Sequence, residues 1–241
     1  MKELNSFKKG IADGLPICFG YFAVSFAFGI FAVGSGFSPL QTLFISMTNV
    51  TSAGQFAAVP IIAATGSFVE LAASQLIINL RYSLMSISLA NRLGKSVKLI
   101  DRFIIAFMNT DEVFAVASSK RENVGKKYMF GLIITPFLGW SGGTLIGAVA
   151  GDILPKIVVS ALGLAIYGMF IAIVVPPAKK SRPVLICVLI SVFLSCLFKY
   201  VPFLQSVPSG FTVIICAVTA SAILAFFAPV DIDDKEGEKN G

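Results

Sequence analysis

The 241-residue sequence contains no histidine, one tryptophan and four cysteines, and only 13% of its residues are charged. Without histidine there is no imidazole to activate a serine or cysteine nucleophile, and no H-E-x-x-H zinc site can form. The cysteines, Cys18, Cys187, Cys196 and Cys216, lie apart in apolar segments without C-x-x-C spacing, so disulfides, metal clusters and redox motifs are not expected. They read as small packing residues. The shortage of charge excludes more. A soluble domain carries about 25% charged residues, and this chain has too few to cover a water-facing surface.

What is abundant is apolar sequence, at 56% of the chain. No ionised side chain occurs from Leu15 to Val69. Further uncharged runs cover Tyr128 to Gly151, Ile157 to Ala178, Val184 to Phe198 and Tyr200 to Val230. Each approaches or exceeds the roughly 20 residues that cross a hydrocarbon core about 30 Å thick. The expected fold is all-α, a polytopic integral membrane helix bundle over residues 1–230, with an acidic, disordered cytoplasmic tail at 231–241. The first apolar run, behind Lys2, Lys8 and Lys9, is too long for a signal peptide and reads as a helix that stays in the membrane.

Basic residues concentrate on the cytoplasmic side of membrane segments. Most of the 19 Lys and Arg fall in four clusters: Lys2/Lys8/Lys9, Arg92/Lys95/Lys98/Arg102, Lys120/Arg121/Lys126/Lys127 and Lys179/Lys180/Arg182. If all four are cytoplasmic, the three apolar segments at 11–36, 40–66 and 69–91 must cross an even number of times. The middle one then enters and leaves on the outer side. The segment 103–119, basic at both ends, becomes a hairpin from the cytoplasm. Six full crossings and two broken, re-entrant elements result, with both termini cytoplasmic; seven or eight crossings are the alternative. Topology also accounts for the basic clusters, so no nucleic-acid partner is implied. The partner the composition requires is the lipid bilayer of a cell membrane.

Both re-entrant segments contain polar breaks. Non-helical backbone at membrane depth persists only where protein or a water-filled cavity satisfies it. In the first break, Met47 to Gln55, Ser52 and Gln55 have the spacing of a capping box, which would start a half-helix near Ala53 and Gly54. In the second, Met108 to Glu112, Asn109 and Glu112 form an analogous pair. Free amides at such starts attract anions and the preceding carbonyls attract cations, an arrangement suited to a zwitterion. Asp111 is an ionisable group within a membrane segment and hence a functional candidate.

Between the breaks lies Arg81, about 18 Å along its helix at 1.5 Å per residue. Gln75, Asn79, Tyr82 and Ser86 share one helical stripe, and Ser74, Arg81 and Ser88 a second. Arg81 either binds a substrate carboxylate or pairs with Asp111 or Glu112. The candidate binding residues are therefore Ser52, Ala53, Gly54, Gln55, Asn79, Arg81, Asn109, Asp111 and Glu112, with Phe56, Met108 and Phe114 as candidate lining of an apolar pocket. No catalytic or metal-binding set is expected, and no cofactor. The Gly139-Trp140-Ser141-Gly142 segment fits the pattern of intramembrane serine proteases but lacks a histidine partner. With Gly143, Gly147 and Gly151 it reads as a small-residue helix interface. Gly94-Lys95-Ser96 resembles the end of a P-loop, but Leu89 stands where its first glycine belongs.

At these residues the chain resembles the AzlC-like family of branched-chain amino-acid permeases, through Gly14-Leu15-Pro16, Ser52-Ala53-Gly54-Gln55-Phe56, Ile78-Asn79-Leu80-Arg81-Tyr82 and Thr110-Asp111-Glu112-Val113-Phe114. The resemblance implies export of hydrophobic amino acids such as valine, leucine or isoleucine, together with a small AzlD-like membrane subunit. Members often carry histidine where this chain has Tyr82; if that histidine relays protons in relatives, coupling here must differ or rest on Asp111 and Glu112. A channel and a scaffold subunit of a larger complex are the other classes compatible with the sequence.

Overall fold

The computed structural model describes residues 3–155, 157, 171, 174–179 and 181–227. The chain divides into two compact units, Met1–Met169 and Phe170–Gly241, each described by itself. The first contains β1 (Glu3–Leu4), α1 (Phe7–Gly34), α2 (Pro39–Thr48), α3 (Ser52–Ala63), α4 (Phe68–Ala90), α5 (Leu99–Phe107), α6 (Asp111–Ser118), β2 (Asn123–Val124) and α7 (Lys126–Ile153). In the second, the helices Arg182–Tyr200 and Ser209–Phe227 pack together across a 3-10 turn at Leu204–Ser206.

The all-α membrane bundle is what the structure shows. Among the described residues, four helices are long and apolar enough to cross a bilayer: α1, α7 and the two of the second unit. With 23 residues α4 is also long enough, though it carries Glu70 and Arg81. The expected crossing at 157–178 falls largely, and the tail at 231–241 wholly, outside the described residues. The only sheet among them is a two-residue parallel ladder, Glu3 opposite Asn123 and Leu4 opposite Val124.

Glycine spacing in α7 explains the spine of the first unit. Gly139 packs on Cys18, Gly143 on Phe22 and Ser25, Gly147 on Phe26, and Gly151 on Ile30. Gly10, Gly14 and Gly29 of α1 face α7 in return. Contacts advance in step along both chains, so the two helices run parallel from one basic end. At Gly147 an added Cβ would overlap the Phe26 carbonyl, so the missing side chains are what allow the backbones to touch and gain dispersion contact in a medium with little hydrophobic drive. Gly142, off this face, has open space around its Cβ position.

Each of the two segments expected to re-enter folds as a pair of short helices about a polar break. Ser38 and Gln41 start α2 with a true capping box, at 3.3 and 2.9 Å. The helix then returns toward the middle of the spine, where Ser46 bonds Thr144 at 2.7 Å and the Trp140 indole donates to the Ser46 carbonyl at 3.1 Å. After the break α3 climbs back, packing Phe56 on Phe28 and Phe31 at 5.3 and 5.4 Å between ring centroids. The second hairpin mirrors this from the basic end. Asp101 of α5 pairs with Lys126 at 2.7 Å, and Lys120, just after α6, pairs with Asp13 at 2.7 Å. This hairpin starts at Leu99 rather than 103, because Asp101 accepts from the Lys98 amide and opens the helix there.

At 1.5 Å per residue, α2 is about 15 Å long and α5 about 13 Å. Their sum is close to the hydrocarbon thickness of about 30 Å. The two tips therefore lie at similar depth near the middle of the span. Alongside both runs α4, ending at Leu89 in an apolar cluster with Val97, Val124 and Tyr128 at the basic end.

Candidate functional site

At the first tip, α2 ends on Thr48 and α3 begins at Ser52, with Thr51 as the extended N-cap. The capping box expected between Ser52 and Gln55 does not form. Thr51, at φ −147° and ψ 123°, holds the non-helical position, so Ser52 is already inside the helix. The Thr51 hydroxyl accepts from the Tyr82 phenol at 3.3 Å and makes no cap bond. Gln55 is fully buried and neither end of its amide has a partner, nor does the Ser52 hydroxyl. Ala53 and Gly54 complete this first turn. At Gly54 a Cβ would come within 2.7 Å of the Gln75 Oε1 and 3.1 Å of the Asn49 Oδ1, so a larger residue there would displace the side chains that tie the first tip to α4.

At the second tip, α5 ends on Phe107 and α6 begins at Asp111. Thr110 caps α6, its hydroxyl accepting from the Val113 amide at 3.4 Å; the expected pairing of Asn109 with Glu112 is absent. Asn109 is turned toward α4 and donates to the Ser86 hydroxyl at 3.2 Å, with its Oδ1 unpartnered. Glu112 accepts from the Tyr21 phenol of α1. Asp111 meets Arg81 at 2.8 Å, the ion pair that was one of the two roles open to that arginine.

The α4 stripe connects the tips. Gln75 accepts from the Asn49 side chain at 3.0 Å and from Asn79 at 3.3 Å, and donates to the Gly54 carbonyl at 2.9 Å. Arg81 donates to the Tyr82 phenol at 3.1 Å. A continuous line thus runs from Asp111 through Arg81 and Tyr82 to Thr51, from one tip to the other. The predicted residues Ser52, Gly54, Gln55, Asn79, Arg81, Asn109, Asp111 and Glu112 all lie on or beside it. The apolar trio is not assembled: Phe56 packs with Phe28 and Phe31, whereas Met108 and Phe114 pack against the cluster at the basic end.

Asn49, Thr51, Thr110 and Tyr21 were not among the expected site residues. Thr51 and Thr110 each stand immediately before a helix start, a signal the sequence contains. Tyr21, a lone phenol in an uncharged run, gives no hint of its partner.

The arrangement brings both signs of charge together. The first-turn amides of α3 carry the partial positive charge of a helix start, and Arg81 a full one; Asp111 and Glu112 supply negative charge a few residues away. The side chains of Arg81 and Asp111 are 52% and 45% exposed in the isolated chain. That openness leaves each group able to exchange its partner for a ligand of the opposite charge.

The chain is 34% identical over 175 residues, 72% of its length and 76% of the relative's, to an uncharacterised membrane protein of Archaeoglobus fulgidus. It is 32% identical over 184 residues, 73% of its length and 75% of the relative's, to the inner membrane protein YgaZ of Escherichia coli. A membrane protein of Helicobacter pylori is 26% identical over 152 residues, 62% and 66% of the two chains. No solved structure matches. The family model described as AzlC protein matches residues 16–154, a stretch that includes both tips and the whole of α4, and the chain belongs to the AzlC family of multi-pass membrane proteins.

Proposed function

We propose that the chain is a secondary transporter, not an enzyme, that exports branched-chain or other hydrophobic amino acids across the cytoplasmic membrane. The observation that carries this is the Arg81–Asp111 pair, a full positive charge inside α4 against a full negative one at the second polar break, linked through Tyr82 to Thr51 at the first. Such groups are costly in a membrane and mark transport pathways. The substrate carboxylate would replace Asp111 on Arg81 or sit at the first turn of α3 from Ser52 to Gln55. Its ammonium would face Asp111 or Glu112. Energy would come from protons or the membrane potential. The family resemblance, and not the geometry, supplies the substrate class, the outward direction and the expectation of a small AzlD-like subunit. The basic end of the first unit would face the cytoplasm.

Solute counterflow in proteoliposomes, with and without a candidate small subunit, tests this reading. Saturable exchange of leucine, isoleucine or valine is the expected result. Flux without saturation or counterflow would identify a channel instead. Absence of any exchange in both preparations would refute transport by this chain.

A further inference from the structure

Where α4 ends and α5 begins, an apolar groove opens at the basic end, with a volume of about 270 Å³ and lined by Ser86, Leu89, Leu93, Leu99, Arg102 and Phe103, among others. Its floor is fixed: Leu89 and Ile105 are almost fully buried and belong to the apolar cluster that anchors this end. Its rim is open, with Leu99 and Phe103 at 71% and 66% exposure. On α5, positions 99, 102, 103 and 106 fall on one helical stripe, so the apolar lining and Arg102 face the groove together.

Arg102 is the only charged residue of that lining. Its sequence neighbour Asp101 is nearly buried and committed to Lys126 at 2.7 Å. Arg102 has no ion-pair partner among the described residues. Other cations of the basic end do have partners: Lys9 and Lys120 share Asp13, and Arg92 donates to the Lys120 carbonyl. Lys95 and Lys98 add positive charge within one turn of the groove's entrance. An apolar slot with one uncommitted guanidinium at its edge matches an anionic amphiphile. The hydrocarbon chain fills the slot and the guanidinium forks onto the phosphate.

We propose that this groove is a specific site for an anionic phospholipid, its phosphate held by Arg102 and one acyl chain lying between α4 and α5. The groove opens at the basic end, on the arm that carries the second tip, and touches that tip at Ser86, the partner of Asn109. Lipid bound there would brace α5 against α4.

The test uses the full chain in nanodiscs of equal phosphatidylglycerol and phosphatidylcholine, released for native mass spectrometry. Wild type should retain phosphatidylglycerol preferentially. Arg102→Gln should lower that retention about fivefold, the effect of one interfacial cation worth about 1 kcal/mol. Ala106→Trp, which fills the slot and leaves every charge in place, should lower it as well. Lys95→Gln serves as the control for charge outside the lining and should change retention far less. Equal retention of the two lipids by wild type would overturn the proposal. So would unchanged phosphatidylglycerol retention in both groove variants, or an equal loss in Lys95→Gln, which would indicate attraction to the basic end as a whole. Monodisperse elution and an unchanged unfolding temperature for each variant exclude misfolding as the source of any loss.

Discussion

Replacing Arg81 by glutamine should destabilise the protein more than replacing Arg81 and Asp111 together. Their charged atoms are 2.8 Å apart, and about half of each side chain is open. A fully exposed pair contributes about 0.2–1 kcal/mol, and breaking a buried one costs about 3–5 kcal/mol because the remaining charge is stranded. A half-open pair between re-entrant tips falls between these, at about 1–2 kcal/mol of coupling. For a chain of this size that corresponds to about 2–8 °C in unfolding temperature. The single tryptophan is well placed to report it. Trp140 is 2% exposed, bonded to the Ser46 carbonyl and packed edge-on against Tyr21 at 5.2 Å, so its fluorescence follows the layer in which the tips meet. Arg81→Gln and Asp111→Asn should each lower the midpoint, and the double variant should recover at least half of the larger loss. Effects that add within about 0.5 kcal/mol would show the two residues to be uncoupled, and the line from tip to tip would lose its central link.

Four further outcomes follow from the same geometry. Gln55→Met, which removes a buried amide without partners, should leave the unfolding temperature unchanged or higher and abolish counterflow; retained counterflow would remove Gln55 from the site. Gly147→Leu should prevent recovery of folded protein in size-exclusion chromatography, whereas Gly142→Ala, with open space at its Cβ, should cost less than about 0.5 kcal/mol. In a background with all four cysteines replaced, Gly34→Cys and Ala64→Cys should label from one side of the membrane and Lys95→Cys and Arg121→Cys from the other; labelling of the first two from opposite sides would disprove the outer hairpin. Lys126, bonded to Asp101 and aided by the Lys98 amide, holds the Asp101 carboxyl below its ordinary value of 3.8. A depressed carboxylate stabilises the fold above the ordinary value and loses that contribution as pH falls through the lowered one. The difference in unfolding temperature between wild type and Lys126→Gln should therefore be largest near neutrality and shrink as pH falls below about 3.8.

Charge placement made the two hairpins of the first unit legible. Lys98 and Lys120 flank α5 and α6 closely enough that only a hairpin keeps both at one end, and the uncharged stretch from Leu15 to Val69 has to turn back inside itself. The α4 stripe was legible because helical periodicity fixes which side chains share a face: Gln75, Asn79, Tyr82 and Ser86 all point at the tips. Capping was not. The S-x-x-Q spacing occurs at Ser38 and again at Ser52, and only the first forms a box. Pro39 preorganises the first helical position after Ser38, whereas at the second site the extended residue is Thr51. Nor could a local pattern reveal that Tyr21 bonds Glu112, 91 residues away, because that bond exists only once α1 and the second hairpin share a level. The β1–β2 ladder, two residues long, is too short to leave a period in the sequence.

Two hairpins that end tip to tip also have an electrical consequence. Wherever water follows the polar backbone to the breaks from both ends, the transmembrane voltage no longer falls evenly over about 30 Å. It is concentrated across the thin layer that holds Arg81, Asp111, Tyr82 and Thr51. One elementary charge carried through the full potential is worth about 2.3 kcal/mol per 100 mV. A charge that shifts by a few ångströms between the tips would collect much of that energy, and a small rearrangement of one ion pair would then respond to voltage as strongly as a large movement elsewhere in the bilayer.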